Sequence, residues 1–117
     1  LGQALANYTN FQKRGFILKG IFDINPERIG KEAGGIKILP MTEMKTLVKK
    51  EKIRLAALCI PKSEAIKVVD DLISYGIEGI WNFAHIDLDV PKHVVIENVH
   101  LSESLMRLSY RLFEELK

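Results

Sequence analysis

One cysteine, Cys59, stands among the 117 residues, which excludes an internal disulfide and any cysteine-built metal cage. Charge of either sign is also scarce as an excess: 17 basic against 15 acidic residues leave a net +2. That is too little for this segment alone to hold nucleic acid through its phosphates. No apolar run approaches the roughly 18 residues a membrane-spanning helix needs. Aromatics make up 8%, and no residue type is enriched enough to signal disorder or a repeat array. The expectation is one soluble, cytoplasmic α/β-sized domain with no membrane partner and no metal.

What is present alternates. Residues 16–22 read as a buried strand ending at Asp23, and Asn25-Pro26-Glu27 as a turn. A glycine-rich stretch, 30–35, leads to a short strand at 36–39. Met41, Met44, Leu47 and Val48 recur at helical spacing. The run 55–60 is a second strand, stopped by Pro61. Ala65, Ile66, Val69, Leu72 and Ile73 mark a helix that Gly76 caps. Strands follow at 79–83 and 94–99. Residues 101–117 close the chain as a helix with Leu101, Leu105, Leu108, Leu112, Phe113 and Leu116 on one broad apolar face. Continuous apolar strands alternating with helices predict a parallel sheet covered on both faces.

Ligands of such sheets bind at the carboxyl ends of the strands. The opening Leu1-Gly2 is expected to be the tail of a phosphate-binding glycine loop whose preceding strand lies outside this chain. Asp23 stands 21 positions beyond Gly2. A dinucleotide site needs that spacing: glycine lets the backbone approach the pyrophosphate, and a carboxylate about 20 residues on accepts the ribose hydroxyls. Such a carboxylate would repel a 2′-phosphate, so NAD is favoured over NADP. The plainer reading is that Gly2 serves packing and Asp23 caps the following turn.

Leu1-Gly2-x-Ala4-Leu5-Ala6-Asn7-Tyr8, Gly20-Ile21-Phe22-Asp23-Ile24-Asn25-Pro26, Ile60-Pro61 and Gly79-Ile80-Trp81-Asn82-Phe83-Ala84 carry a closer resemblance. So do Val90-Pro91 and Val95-x-Glu97-Asn98-Val99. Together they resemble the Rex family of redox-sensing transcriptional repressors, in register along essentially the whole chain. The resemblance implies a Rossmann domain, with 1–100 as its core and 101–117 as a dimerisation helix, behind an N-terminal winged-helix DNA-binding domain. It implies a homodimer whose last helix swaps into the partner subunit. NADH or NAD⁺ would be bound as an effector and not consumed, and NADH would release operator DNA.

Carried across by position, Gly2 would close the pyrophosphate loop. Asp23 would hold the adenosine ribose, with Ile24 and Arg28 beside the adenine. Ile60 and Pro61 would border the cofactor, and Asn82, Phe83 and Ala84 would line its nicotinamide end. Tyr8, His100, Leu101, Leu105 and Leu108 would form the dimer and switch contacts. Two positions depart from the family's pattern: His85 stands where proline is usual, and His100 where aspartate is usual. An imidazole can change charge near neutral pH.

Other constellations are weaker. The spacing of His85, His93 and His100 matches no standard metal-ligand pattern. Cys59 reads as an inert core thiol, Trp81 as a core side chain, and the methionines as helical apolar positions. Two rivals remain. An NAD-dependent dehydrogenase would need a proton-transfer group such as His85 together with a substrate domain. A CoA-binding module would need neither Asp23 nor the Asn82-Phe83-Ala84 segment.

Overall fold

The runs at 55–60 and 79–83 become neighbouring parallel strands, as their unbroken hydrophobicity predicts, with Leu58 and Ile80 buried on one face and Leu55, Ala57 and Trp81 exposed on the other. In a computed structural model of the chain, which describes residues 5–7 and 10–115, the elements begin with α1 (Asn10–Lys13) and β1 (Ile21–Asp23). Then come β2 (Glu32–Ala33), β3 (Ile36–Pro40), a 3₁₀ turn at Met41–Glu43 and α2 (Met44–Lys50). The second half holds β4 (Leu55–Leu58), α3 (Lys62–Ser74), β5 (Gly79–Asn82), β6 (Val95–Asn98) and α4 (Leu101–Glu115). The strands form two three-stranded sheets, ordered β1-β3-β2 and β4-β5-β6.

The second sheet is parallel throughout, with Leu55 opposite Gly79 opposite Val95, and Ala57 opposite Trp81 opposite Glu97. Alternation assigns those six residues to one face. The other face carries Leu58 and Ile80, which share a core cluster with Ala65, Val69 and Leu72 of α3 and Met44 and Val48 of α2. The spacing of Ala65, Val69 and Leu72 is one helical stripe, as the sequence predicts. Gly76 ends α3 as expected. At φ 108° its N–H reaches the Ile73 carbonyl at 3.1 Å, and the Ile77 N–H reaches Leu72 at 3.0 Å. That double bond pattern requires a left-handed residue, and glycine supplies it without strain. On the opposite face Trp81 receives Phe11 of α1 edge-on, with ring centroids 5.8 Å apart. Helices therefore flank this sheet on both sides, a Rossmann-like arrangement.

Three expectations need adjustment. The strand foreseen over 16–22 is confined to Ile21–Asp23, with Phe16, Ile17 and Leu18 exposed ahead of it. β1 pairs with β3 on one side through Ile21–Ile38, Phe22–Leu39 and Asp23–Pro40, and residues 16–20 find no ladder among the described residues. An apolar run becomes a strand only where a neighbouring strand takes its N–H and C=O groups. Trp81, read as core, is 36% exposed, since its face of the sheet is only partly covered by Phe11. The glycine-rich stretch hides an antiparallel hairpin, β2 with β3. Gly34 and Gly35, at φ 59° and 79°, form its two-residue turn, which needs positive φ at both positions.

Candidate functional site

Asp23 closes β1, so its side chain leaves the sheet at the carboxyl edge. One carboxylate oxygen, Oδ1, accepts the Asn25 N–H at 3.0 Å. The other, Oδ2, lies 3.4 Å from Nη1 of Arg28, and the carboxylate side chain is 24% exposed. The turn-capping reading of Asp23 is thus realised, by one oxygen. The second remains an acceptor held by a loosely paired guanidinium. Beside it Ile24 is 60% exposed, an apolar platform next to a polar acceptor. Asn25 then caps its own turn, its Oδ1 accepting the Glu27 N–H at 3.0 Å.

After β4 the chain runs through half-buried Cys59 and Ile60 to exposed Pro61 and into α3. Pro61 offers no side chain to cap the helix. The Glu64 N–H reaches the Pro61 carbonyl at 3.0 Å, which leaves the N–H groups of Lys62 and Ser63 at the strand ends, where an anionic group is stabilised by them and by the helix dipole. Burial pushes the Cys59 thiol up.

The Asn82-Phe83-Ala84 segment is held by Asn82 itself. Its side chain is buried, 2% exposed. Nδ2 donates to the Ile86 carbonyl at 3.0 Å and to Oδ1 of Asn98 at 2.9 Å, and Oδ1 accepts the Ala84 N–H at 3.0 Å. Both amide protons are used inside the protein, so Asn82 shapes the turn after β5 and ties it to the end of β6. Phe83 and Ala84 are buried; Phe83 packs edge-on against Trp81 at 4.7 Å. The turn continues into His85, whose φ is 54°. His85 and His100 are exposed, with ring centroids 6.2 Å apart.

Asn82 and Asp23 thus organise two separate strand-end clusters, one with Arg28 and Ile24, the other with Phe83, Ala84, His85 and His100. Gly2 and Tyr8 lie outside the described residues, as does the side chain of Leu101. Leu105 and Leu108 stand on α4, 68% and 63% exposed. Two participants were not singled out from the sequence: Asn98, which takes the Asn82 amide, and Asn7, whose Oδ1 accepts the Gly34 N–H at 2.9 Å. Both sit at positions where only tertiary contact gives an amide its meaning.

Residues 1–86 match a family model described as the CoA binding domain. The chain belongs to the CoA binding domain family. Within it, the relatives are redox-sensing transcriptional repressors called Rex. One from Clostridium novyi (strain NT) is 51% identical over 112 residues, covering 96% of this chain and 53% of the relative. Another, from Thermoanaerobacter sp. (strain X514), is 50% identical, covering 98% and 51%. The chain spans about half the length of the curated relatives it matches. A crystal structure of RSP, a Rex-family repressor, superposes with a TM-score of 0.91 at 50% identity, over 97% of this chain and 55% of that one. RSP in complex with β-NADH gives 0.88 at 48% identity, over 98% and 58%. RSP in complex with β-NAD⁺ and operator DNA gives 0.89 at 50% identity, over 97% and 52%. The Rex resemblance seen in the sequence is borne out, and so is the Rossmann-like fold.

Proposed function

We propose that this chain is the NAD(H)-binding part of a redox-sensing transcriptional repressor. It binds NADH and NAD⁺ as effectors, without consuming them, and passes the difference to operator DNA through a winged-helix domain outside this chain. The observation that carries the reading is its near-complete superposition, at about half identity, on a Rex-family repressor solved with β-NADH, taken with Asp23 at the end of β1. The residues fit the cofactor. The Oδ2 of Asp23 has lone pairs for ribose hydroxyls, Ile24 offers an exposed apolar surface to an adenine ring, and the uncapped start of α3 suits a pyrophosphate. Ile60 and Pro61 border that start. The fixed turn of Asn82, Phe83 and Ala84 provides the wall at the nicotinamide end, with Gly2 completing the phosphate loop.

The two sheets support the matching domain reading: β1 and β4 are each left, among the described residues, with one unpaired edge. A single further strand, parallel to both, would join them into one doubly wound sheet, with 1–100 as its core. The function needs a homodimer. On α4, Leu105, Leu108, Leu112 and Phe113 are all more than half exposed, a stripe that the last helix of a swapped pair would bury against a second copy, with His100 and Leu101 where the helix begins. Effector action then follows from differential affinity: whichever nicotinamide form binds the DNA-released dimer more tightly shifts the equilibrium towards it. The reading assigns no catalytic residue and places the protein in the cytoplasm.

Titration of the protein with NADH, NAD⁺ and CoA, followed by Trp81 fluorescence and calorimetry, tests this. NADH binding well above NAD⁺, with no CoA binding, is expected. Binding of CoA alone would instead support the literal sense of the family model's description. Equal NADH and NAD⁺ affinity would remove the sensing function. Asp23→Ala should weaken dinucleotide binding about tenfold or more, the loss of a charge-assisted hydrogen-bond acceptor. Unchanged affinity would overturn the ribose assignment.

A further inference from the structure

Trp81 and Phe83 stand two positions apart and so share one face of the second sheet. Phe83 follows β5 directly, and its N–H extends the ladder to the Leu58 carbonyl at 3.0 Å. Its side chain is buried, yet it lies apart from the core cluster of the opposite face. Trp81 meets it edge-on, with planes at 62° and centroids 4.7 Å apart. Trp81 in turn meets Phe11 of α1 at 80° and 5.8 Å. Three rings therefore run in series from α1, across the sheet, to the turn after β5. Both contacts fall within the roughly 4.5–7 Å at which edge-to-face pairs attract.

The strands beside Trp81 explain why its indole packs this way. Across the sheet it faces Ala57 on β4 and Glu97 on β6, a methyl group and a carboxylate, both exposed. Neither offers a broad apolar surface, so the indole packs along its own strand on Phe83 and outward on Phe11. Phe83 has a fixed backbone, held by the ladder on one side and on the other by Asn82, whose Oδ1 accepts the Ala84 N–H at 3.0 Å. The plane of its ring is another matter, because the second side-chain torsion of phenylalanine is broad. A neighbouring aromatic edge is what narrows it.

We propose that Trp81, braced by Phe11, is a positioning residue that orients the Phe83 ring toward the nicotinamide end of the dinucleotide. The proposal rests on the reading above, in which Phe83 walls that end, and adds two residues that act through Phe83 without touching the ligand. Asp23 and Ile24 stand at the end of β1 in the other sheet, and the start of α3 follows β4. The adenosine and pyrophosphate contacts therefore do not pass through the three rings. Disturbing the series should cost the nicotinamide its contact and spare the rest of the cofactor.

The test is calorimetric titration of the protein with NADH and, separately, with ADP-ribose, which keeps the adenosine, the pyrophosphate and the second ribose but lacks the nicotinamide. The native sequence is compared with Trp81→Leu and Phe11→Leu, which keep apolar bulk without an aromatic edge, and with Trp81→Phe, which keeps an edge. Val48→Ala, which opens a void in the core of the opposite face, is the control for lost stability alone. Trp81→Leu is expected to weaken NADH binding about three- to tenfold, the worth of one edge-on aromatic pair, and ADP-ribose binding less than about twofold. Phe11→Leu should act in the same sense, and Trp81→Phe should recover most of the loss. Val48→Ala should lower the unfolding temperature without separating the two ligands. Phe11 is half-buried, so its variant carries the comparison if Trp81→Leu does not fold. Equal weakening of NADH and ADP-ribose by Trp81→Leu would overturn the positioning role and leave Trp81 as packing. So would unchanged NADH affinity, or a Trp81→Phe variant no better than leucine. A native protein that binds no NADH would remove the dinucleotide reading itself, and this role with it.

Discussion

Replacing Asn82 with alanine removes three hydrogen bonds, and the structure allows their loss to be weighed one at a time. The Ala84 N–H belongs to a residue only 6% exposed, so without Oδ1 it is left unsatisfied, at about 1–3 kcal/mol. The Ile86 carbonyl is half-buried and recovers part of its loss from water, leaving about 0.5–1 kcal/mol. The Asn98 side chain is exposed and turns to solvent at little cost. The sum is about 1.5–4 kcal/mol. With a urea slope of about 1.5 kcal/mol/M for a small domain, the unfolding midpoint should fall by about 1–3 M. Asn82→Asp sharpens the test. It keeps the acceptor for Ala84 but brings a buried carboxylate against the Ile86 carbonyl and Oδ1 of Asn98, both acceptors, so it should destabilise at least as much as alanine. A midpoint shift below about 0.3 M for alanine, or an aspartate variant as stable as the native protein, would refute the view that Asn82 holds this turn.

Gly34→Ala meets two obstacles at once, positive φ and a Cβ that would collide with the Ala6 carbonyl. Gly35→Ala faces the first alone, so thermal unfolding should fall by about 5–10 °C for Gly34 and clearly less for Gly35; equal shifts would discount the close approach. Because burial raises the Cys59 thiol, less of it is thiolate at pH 8. Its alkylation should run slower than that of free cysteine, and a matching rate would show the thiol to be open. Under the proposed pairing through α4, Leu105→Ser with Leu108→Ser should give a monomer in light scattering where the native protein gives a dimer, and a dimer that persists would exclude α4 as the pairing surface.

Much of the second half was legible. Residues 55–60 and 79–83 are apolar without alternation, the pattern of parallel strands, although Leu55, Ala57 and Trp81 on one face remain exposed. The stripe of Ala65, Val69 and Leu72, and Gly76 after it, specify a helix and its end through local geometry alone. The first half was harder. Residues 16–20 are as apolar as any strand, but hydrophobicity carries no information about whether a partner ladder is present. Glu32 and Ala33 are too short a segment to show alternation, and they are strand only because Gly34 and Gly35 turn the chain back on β3.

The site divides in the same way. Asp23 was marked by its position after an apolar run and its distance from Gly2, since both are properties of chain order. Its double occupation, by the Asn25 N–H and by Arg28, follows from a turn only five residues long and was within reach of sequence reasoning. The linking of Asn82 to Asn98, the exposure of Trp81 and the meeting of His85 with His100 were not. The sequence by itself determined the stripe and end of α3 and the apolar runs able to become strands, because those features are set by neighbours within a few positions. Only the tertiary structure decided which strand ends stand together, because hydrogen bonds between residues 15 or more positions apart exist only after the sheet has set its register.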